Sequence, residues 1–136
     1  MAIVRKYEVR DYEKVNLLIN NSFGYEKKDI SDSDVYEFVC VDDELIVGYF
    51  NMIIIHDVIK NIKTAHIDYV CVNEQFRGKG YGKKMMEYAL DYCRSNGVSR
   101  VELTSSSKRE IAHKLYLGLG FEIRDSSIFR KELLWF

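Results

Sequence analysis

The sequence predicts a mixed α/β sandwich with a strand–turn–helix at its centre, and three observations carry that reading. Residues 35–72 are rich in Val, Ile, Tyr and Phe, broken at Asp42-Asp43-Glu44 and near Asn61, which is the pattern of an antiparallel meander. From Tyr81 the apolar positions switch to helical spacing, at Met85, Tyr88, Ala89, Tyr92 and Cys93. Between the two patterns stand three glycines in five positions, Gly78, Gly80 and Gly82.

Taken in order, residues 2–8 read as a first strand. Asp11 is placed to cap a helix whose apolar positions are Val15, Leu18 and Ile19, with Tyr12 one turn earlier. Residues 21–34 are polar and read as a loop or a short irregular helix. Strands are expected over 35–41, 45–56 and 63–72, with Asp42-Asp43-Glu44 as a hairpin turn. A helix follows over 81–96, stopped by Asn96-Gly97. Val98–Thr104 is a short strand. Ser107 and Glu110 fit a capping box that opens a helix over 108–119, with Ile111, Leu115 and Leu119 on one face and Gly118 and Gly120 at its end. Residues 121–123 and 128–134 read as two closing strands.

The 136 residues suit a single domain, 1–136, large enough for a core without staples. The net charge of −1 gives no global field for nucleic acid or an anionic membrane. The longest apolar run, Met52–Ile55, is far too short to span a bilayer, and Met1–Lys6 lacks a signal-peptide core, so a soluble, cytoplasmic protein is expected. Cys40, Cys71 and Cys93 are odd in number and widely spaced, which argues for reduced, buried thiols. No His, Cys or carboxylate group has metal-ligand spacing, and no metal is expected. Proline is absent, so glycine, Asn and Asp must set the turns.

The chemistry points to Arg77-Gly78-Lys79-Gly80-Tyr81-Gly82-Lys83. Glycines let backbone approach a ligand closely, and the first N–H groups of the following helix have no internal partner. The helix dipole adds positive character, and Arg77, Lys79, Lys83 and Lys84 add formal charge, so the place suits a phosphate. A P-loop is excluded, because Lys84 follows Gly82-Lys83 and Arg77 stands five before Gly82. A dinucleotide fingerprint fails because Lys83 occupies its third glycine. On physics alone, a phosphate cradle and a tight solvated turn both remain.

The pattern Arg77-x-x-Gly80-x-Gly82 resembles the (Q/R)xxGx(G/A) signature of the GCN5-related N-acetyltransferase (GNAT) superfamily. Val70-Cys71-Val72-Asn73 resembles its fourth strand, and Ala112-His113-Lys114-Leu115-Tyr116-Leu117-Gly118-Leu119-Gly120-Phe121 resembles its A-x-x-x-Y-x-x-x-G-F motif. The order of elements matches along nearly the whole chain. The resemblance implies a mostly antiparallel sheet of six to seven strands, flanked by about four helices, with strands 4 and 5 splayed into a cleft. It also implies an acetyl group moving from acetyl-coenzyme A to a primary amine by direct attack. The acceptor, a small amine, amino acid, amino sugar or protein amine, stays open. A homodimer would be in keeping with the family, and Leu133-Leu134-Trp135-Phe136 is a candidate contact. The other reading is a binding module that senses acyl-coenzyme A without turnover.

Carried over by resemblance, the backbone of Val70, Cys71 and Val72 holds the pantetheine arm, and the N–H groups of Arg77, Gly78, Lys79, Gly80, Tyr81, Gly82 and Lys83 hold the pyrophosphate. Tyr116 donates a proton to the departing thiolate. Arg109 stands where the family often has a cofactor-contacting asparagine, so it either meets a phosphate or is solvated. Asp68 is the first candidate for a base or water anchor, ahead of His66; being two apart they share a strand face, and by the same alternation Val70 joins them. Cys71 reads as structural rather than nucleophilic. The acceptor pocket is expected near 21–34 and 124–130, with Asp29, Asp32, Asp34, Tyr25, Tyr36 and Tyr69 as candidate lining.

Overall fold

The computed structural model describes residues 1–28, 34–105 and 108–134. Its elements are β1 (Ile3–Lys6), α1 (Tyr12–Phe23), β2 (Val35–Asp42), β3 (Leu45–Asp57), β4 (Ile62–Val72), α2 (Tyr81–Ser95), β5 (Val98–Leu103) and α3 (Glu110–Gly118). The strands form one open sheet in chain order, antiparallel throughout except for the parallel pair β4–β5. That pair needs a crossover, and α2 supplies it.

Alternation along the strands divides the core in two. One face of the sheet carries Phe38, Phe50, Met52, Ala65 and Ile67 under Met85, Met86, Ala89 and Cys93 of α2. The other carries Val39, Tyr49 and Cys71 under Val15, Leu18 and Ile19 of α1. The helical spacing read from the sequence is therefore the spacing of the buried faces. The β2–β3 hairpin turns on Asp43 and Glu44, both at positive φ (50° and 65°), the geometry that follows strand twist.

The strand count departs from expectation. Among the described residues there are five strands and three α-helices, where six to seven strands and about four helices were expected. Residues 121–134 carry strand-like composition but join no ladder, and Ile123, Ile128 and Phe129 are exposed. Composition makes a segment fit for pairing, and only a partner edge makes it a strand. Residues 21–23 complete α1 instead of a loop, and Gly24 closes the helix in the left-handed region (φ 76°), its N–H on the Asn20 carbonyl.

Two expected caps also differ. Asp11 makes no side-chain cap to α1. Its carboxylate, 4% exposed, instead takes Arg5 Nη1 and Nη2 at 2.8 and 2.9 Å and the Glu8 N–H at 2.8 Å. The preceding residues 9–11 form a 3-10 turn, which moves Asp11 inward to meet β1. Helix α3 starts at Glu110 with Arg109 as N-cap, while Ser107 lies outside the described residues. The Arg5 bond, partly opposed by burial, holds the Asp11 carboxyl below its ordinary value. A depressed native pKa stabilises the fold above about pH 4, and that stability is lost as pH falls through the native value. Asp11→Ala is expected to cost about 1.5–3 kcal/mol at neutral pH, and the deficit should shrink in urea melts as the pH is lowered toward 3. An equal deficit at every pH would show that ionisation is not what Asp11 contributes.

Candidate active site

The cleft arises where β4 outlasts its neighbour. Pairing with β5 runs from Lys63–Val98 to Ile67–Leu103, whereas β4 continues to Val72. Residues 68–72 thus present a backbone edge that no described strand covers. Tyr69 lies within this stretch at φ 53°, an uncommon conformation for a non-glycine residue. The β3–β4 register shifts beside it, between Tyr49–Cys71 and Asn51–Asp68. This is a β-bulge, and one extra residue moves every later side chain to the opposite face.

The bulge corrects the expected grouping of side chains. Asp68 and His66 do share a face, but Val70 does not join them. Val70 and Val72 pack with the Ala65–Ile67 core on the α2 side, and Cys71 turns to α1. Strict alternation assumes an unbroken pleat, and Tyr69 breaks it.

Beyond β4 the chain makes a short 3-10 turn at Glu74–Phe76 and enters the glycine segment. Gly80 is the N-cap of α2 at φ 86°, where a Cβ would be strained whatever the space around it. No protein atom comes within 4 Å of such a Cβ, so the turn is open on its outer side. The first intrahelical bond runs from the Lys84 N–H to the Gly80 carbonyl at 3.0 Å, which leaves the N–H groups of Tyr81, Gly82 and Lys83 without helical partners. Gly82 is small for a different reason. A Cβ there would lie 3.4 Å from Leu115 Cδ2 and 4.0 Å from Val72 Cγ2, so helix α3 and the end of β4 close against it. The Arg77 Nε donates to the Val72 carbonyl at 3.2 Å and ties the turn to the open strand. The Lys79 ammonium lies over the Phe76 ring, 5.3 Å from its centroid. Tyr81 donates its hydroxyl to Asp42.

Tyr116 sits one turn before the end of α3 and is 7% exposed. The helix ends with paired bonds, Phe121 N–H to the Tyr116 carbonyl (3.0 Å) and Gly120 N–H to the Leu117 carbonyl (3.1 Å), with Gly120 at φ 91°. This is a Schellman motif, whose usual apolar contact joins the residues Tyr116 and Phe121 occupy. Their rings meet edge-on at 5.9 Å. The Y-x-x-x-G-F spacing is therefore a helix stop that packs its own tyrosine. Burial raises the Tyr116 pKa, with the Arg109 charge opposing, so the phenol stays protonated through neutral pH. Arg109 also acts electrostatically on Cys71, which places its charge near the cleft.

Burial pushes the Cys71 thiol up to about 11, against small opposing effects of Ser22, Arg109, Tyr49 and Arg77. Cys40 is likewise pushed up to about 11. A thiol that stays neutral and faces the α1 core is a poor nucleophile. No group of three or more His, Cys, Asp or Glu among the described residues is placed to hold a metal. No described helix is long and apolar enough to cross a membrane. Of the candidate lining residues, Asp29 and Asp32 lie outside the described residues, and Tyr36 packs on Tyr92 on the α2 side. Tyr69 faces the α1 side, edge-on to Phe23 at 5.3 Å. His56, for which the sequence offered no partner, bonds Asn61 at 3.1 Å at the β3–β4 hairpin.

One cluster was missed from sequence. Lys27 reaches under α1 to Glu37 on β2, Glu37 meets Tyr49, and Tyr49 meets Asn51. The available signal was Glu37 itself, a lone charge inside the apolar run of β2.

Comparison with known proteins decides the family. The Acetyltransferase (GNAT) family matches residues 4–121. The chain belongs to that family. It is 45% identical over 56 residues to an N-acetyltransferase of Bacillus subtilis, YhdJ, covering 40% of this chain and 39% of that one. It is 38% identical over 52 residues to glucosamine 6-phosphate N-acetyltransferase of Arabidopsis thaliana, covering 38% and 35%. These matches span well under half the length of either relative. In structure it resembles an acetyltransferase of Trypanosoma brucei, with a TM-score of 0.81 and 23% identity over 98% of this chain and 100% of that one. The GNAT family to which this chain belongs uses acetyl-coenzyme A as co-substrate.

Proposed function

We propose that the protein transfers an acetyl group from acetyl-coenzyme A to a primary amine by direct attack within a ternary complex. The observation that carries this reading is the uncovered edge of β4 at residues 68–72, which runs straight to the open glycine turn at the start of α2. A pantetheine arm carries amide groups that can bond a strand edge as another strand would, in the manner of β-augmentation. Its pyrophosphate would then meet the partnerless N–H groups of Tyr81, Gly82 and Lys83 and the turn N–H groups from Arg77 to Gly80. Arg109 would add charge at the cleft.

The reaction needs a neutral amine. The amine nitrogen bonds the acetyl carbon, the C–S bond breaks, and the sulfur leaves as thiolate. Tyr116 supplies a proton to that sulfur, and Asp68, alone or through a water, takes the proton the nitrogen loses. His66, on the same face, is the second candidate for that duty. Positioning of amine and thioester provides much of the acceleration. The Arabidopsis relative's name gives glucosamine 6-phosphate as one amine handled within the family.

Calorimetric titration with acetyl-coenzyme A and ATP tests the donor, and thiol release over an amine panel tests turnover. Tight acetyl-coenzyme A binding with turnover is expected. Binding without turnover on any amine would make the chain a sensor, and preference for ATP would overturn the cleft. Cys71→Ala is expected to keep turnover within about threefold, because a buried neutral thiol cannot carry the acetyl group. An acetyl adduct at Cys71 in quenched wild-type enzyme, read by mass spectrometry, would refute direct attack.

A further inference from the structure

On the α1 face of the sheet, Glu37, Asn51 and Asp68 are cross-strand neighbours on β2, β3 and β4, in a row that ends beside the uncovered stretch of β4. Their hydrogen bonds have a fixed direction. The Lys27 ammonium lies 3.0 Å from Glu37 Oε2, with side-chain exposures of 9% and 18%, and a carboxylate paired with an ammonium offers its neighbours acceptor oxygens. The Tyr49 hydroxyl, kept protonated by burial and by its Glu37 bond, must give its one hydrogen to Glu37, at 2.5 Å. Its oxygen can then only accept. Asn51 therefore has to present its NH2 to Tyr49, at 3.1 Å, and its carbonyl oxygen faces away. Lys27 is itself anchored, its N–H on Asn16 Oδ1 at 2.7 Å and its carbonyl on the Tyr12 hydroxyl at 2.8 Å.

We infer that the Asn51 carbonyl oxygen and the Asp68 carboxylate form the seat of the incoming amine, and that the Lys27–Glu37–Tyr49 chain orients it for a cationic acceptor. This rests on the acetyltransfer reading and adds the class of its second substrate. An ammonium group offers donors alone, and the row offers it two acceptor groups, the Asn51 carbonyl and the Asp68 carboxylate, with one of the two Asn51 amide hydrogens already given to Tyr49. Asp68 Oδ1 already takes the Tyr69 N–H at 2.9 Å, which fixes that carboxylate beside the bulge. Among the described residues Lys27 is the cation on the row, and it is spent on Glu37, so Asp68 leaves the row net negative. Ile53, 42% exposed on the same face, and the Tyr69 ring offer apolar contact to the carbon skeleton. An alkyl diamine fits this surface, and a phosphorylated amino sugar does not. Tyr49 is a positioning residue here, since it acts through Asn51.

The test uses cadaverine and glucosamine 6-phosphate as probes on the full chain, saturated with coenzyme A and labelled with nitrogen-15. Cadaverine is expected to shift the Asn51 side-chain amide and the Asp68 and Tyr69 backbone amides saturably, and glucosamine 6-phosphate to leave them in place. Asn51→Leu and Tyr49→Phe should each weaken cadaverine binding about tenfold, while acetyl-coenzyme A affinity stays within about twofold. Asn51→Asp, which keeps an acceptor, should restore most of the loss relative to Asn51→Leu. Saturable binding of the sugar phosphate at these amides, no cadaverine response, or equal cadaverine affinity in Asn51→Leu would overturn the inference. Failure of wild type to bind acetyl-coenzyme A would instead strike the acetyltransfer reading, so the two failures are separable.

Discussion

Gly80→Asp is expected to weaken acetyl-coenzyme A binding about a hundredfold while the protein remains folded. Two effects combine. The position holds φ 86°, where a non-glycine residue costs about 1–2 kcal/mol, although Asp tolerates it better than most. The larger effect is charge. A carboxylate about 5 Å from a phosphate charge costs roughly 3 kcal/mol at an effective dielectric near 20. A Cβ at Gly80 meets no protein atom within 4 Å, so the new side chain enters the space assigned to the pyrophosphate. Gly97, at φ 73° past the other end of α2 and equally open, supplies the control. Gly97→Asp carries similar strain far from the turn and should leave affinity unchanged. Gly80→Ala separates strain from charge and should fall between. Calorimetric titration reads all three, and a folded Gly80→Asp protein with wild-type affinity would remove the pyrophosphate from this turn.

Tyr116→Phe is expected to lower kcat about a hundredfold with acetyl-coenzyme A affinity near normal, the low end of what a positioned proton donor supplies. The leaving thiol is already acidic, with a pKa near ~8.5, which limits what the donor can add. The substitution keeps the ring that packs on Phe121, so thermal stability should stay within about 2 °C. A burial-raised pKa leaves the phenol protonated across the working range, so no alkaline loss below its ordinary value should trace to it. A stable variant with wild-type kcat would take Tyr116 out of the reaction.

Much of this was legible because the relevant signals are local. Helices α1 and α2 follow from apolar spacing at Val15, Leu18 and Ile19 and at Met85, Ala89 and Cys93, residues that proved to be buried. The glycine turn was legible because few residues other than glycine occupy positive φ cheaply. Asp11 was misread because its sequence neighbours suit a cap, while its actual partner, Arg5, lies on a strand six residues away. Residues 121–134 were misread because strand propensity does not say whether an edge is at hand.

By itself, the sequence determined the order of elements from β1 to α3, the glycine turn and the family motifs, all of which rest on contacts within a few residues. Only the tertiary structure decided three things. The end of β5 pairing at Ile67–Leu103 opens the cleft. The bulge at Tyr69 sends Val70 and Asp68 to opposite faces. The chain from Lys27 to Asn51 joins residues from the segment after α1, β2 and β3. Each depends on register between distant segments, and a one-residue shift in register reverses a side chain without altering composition or spacing.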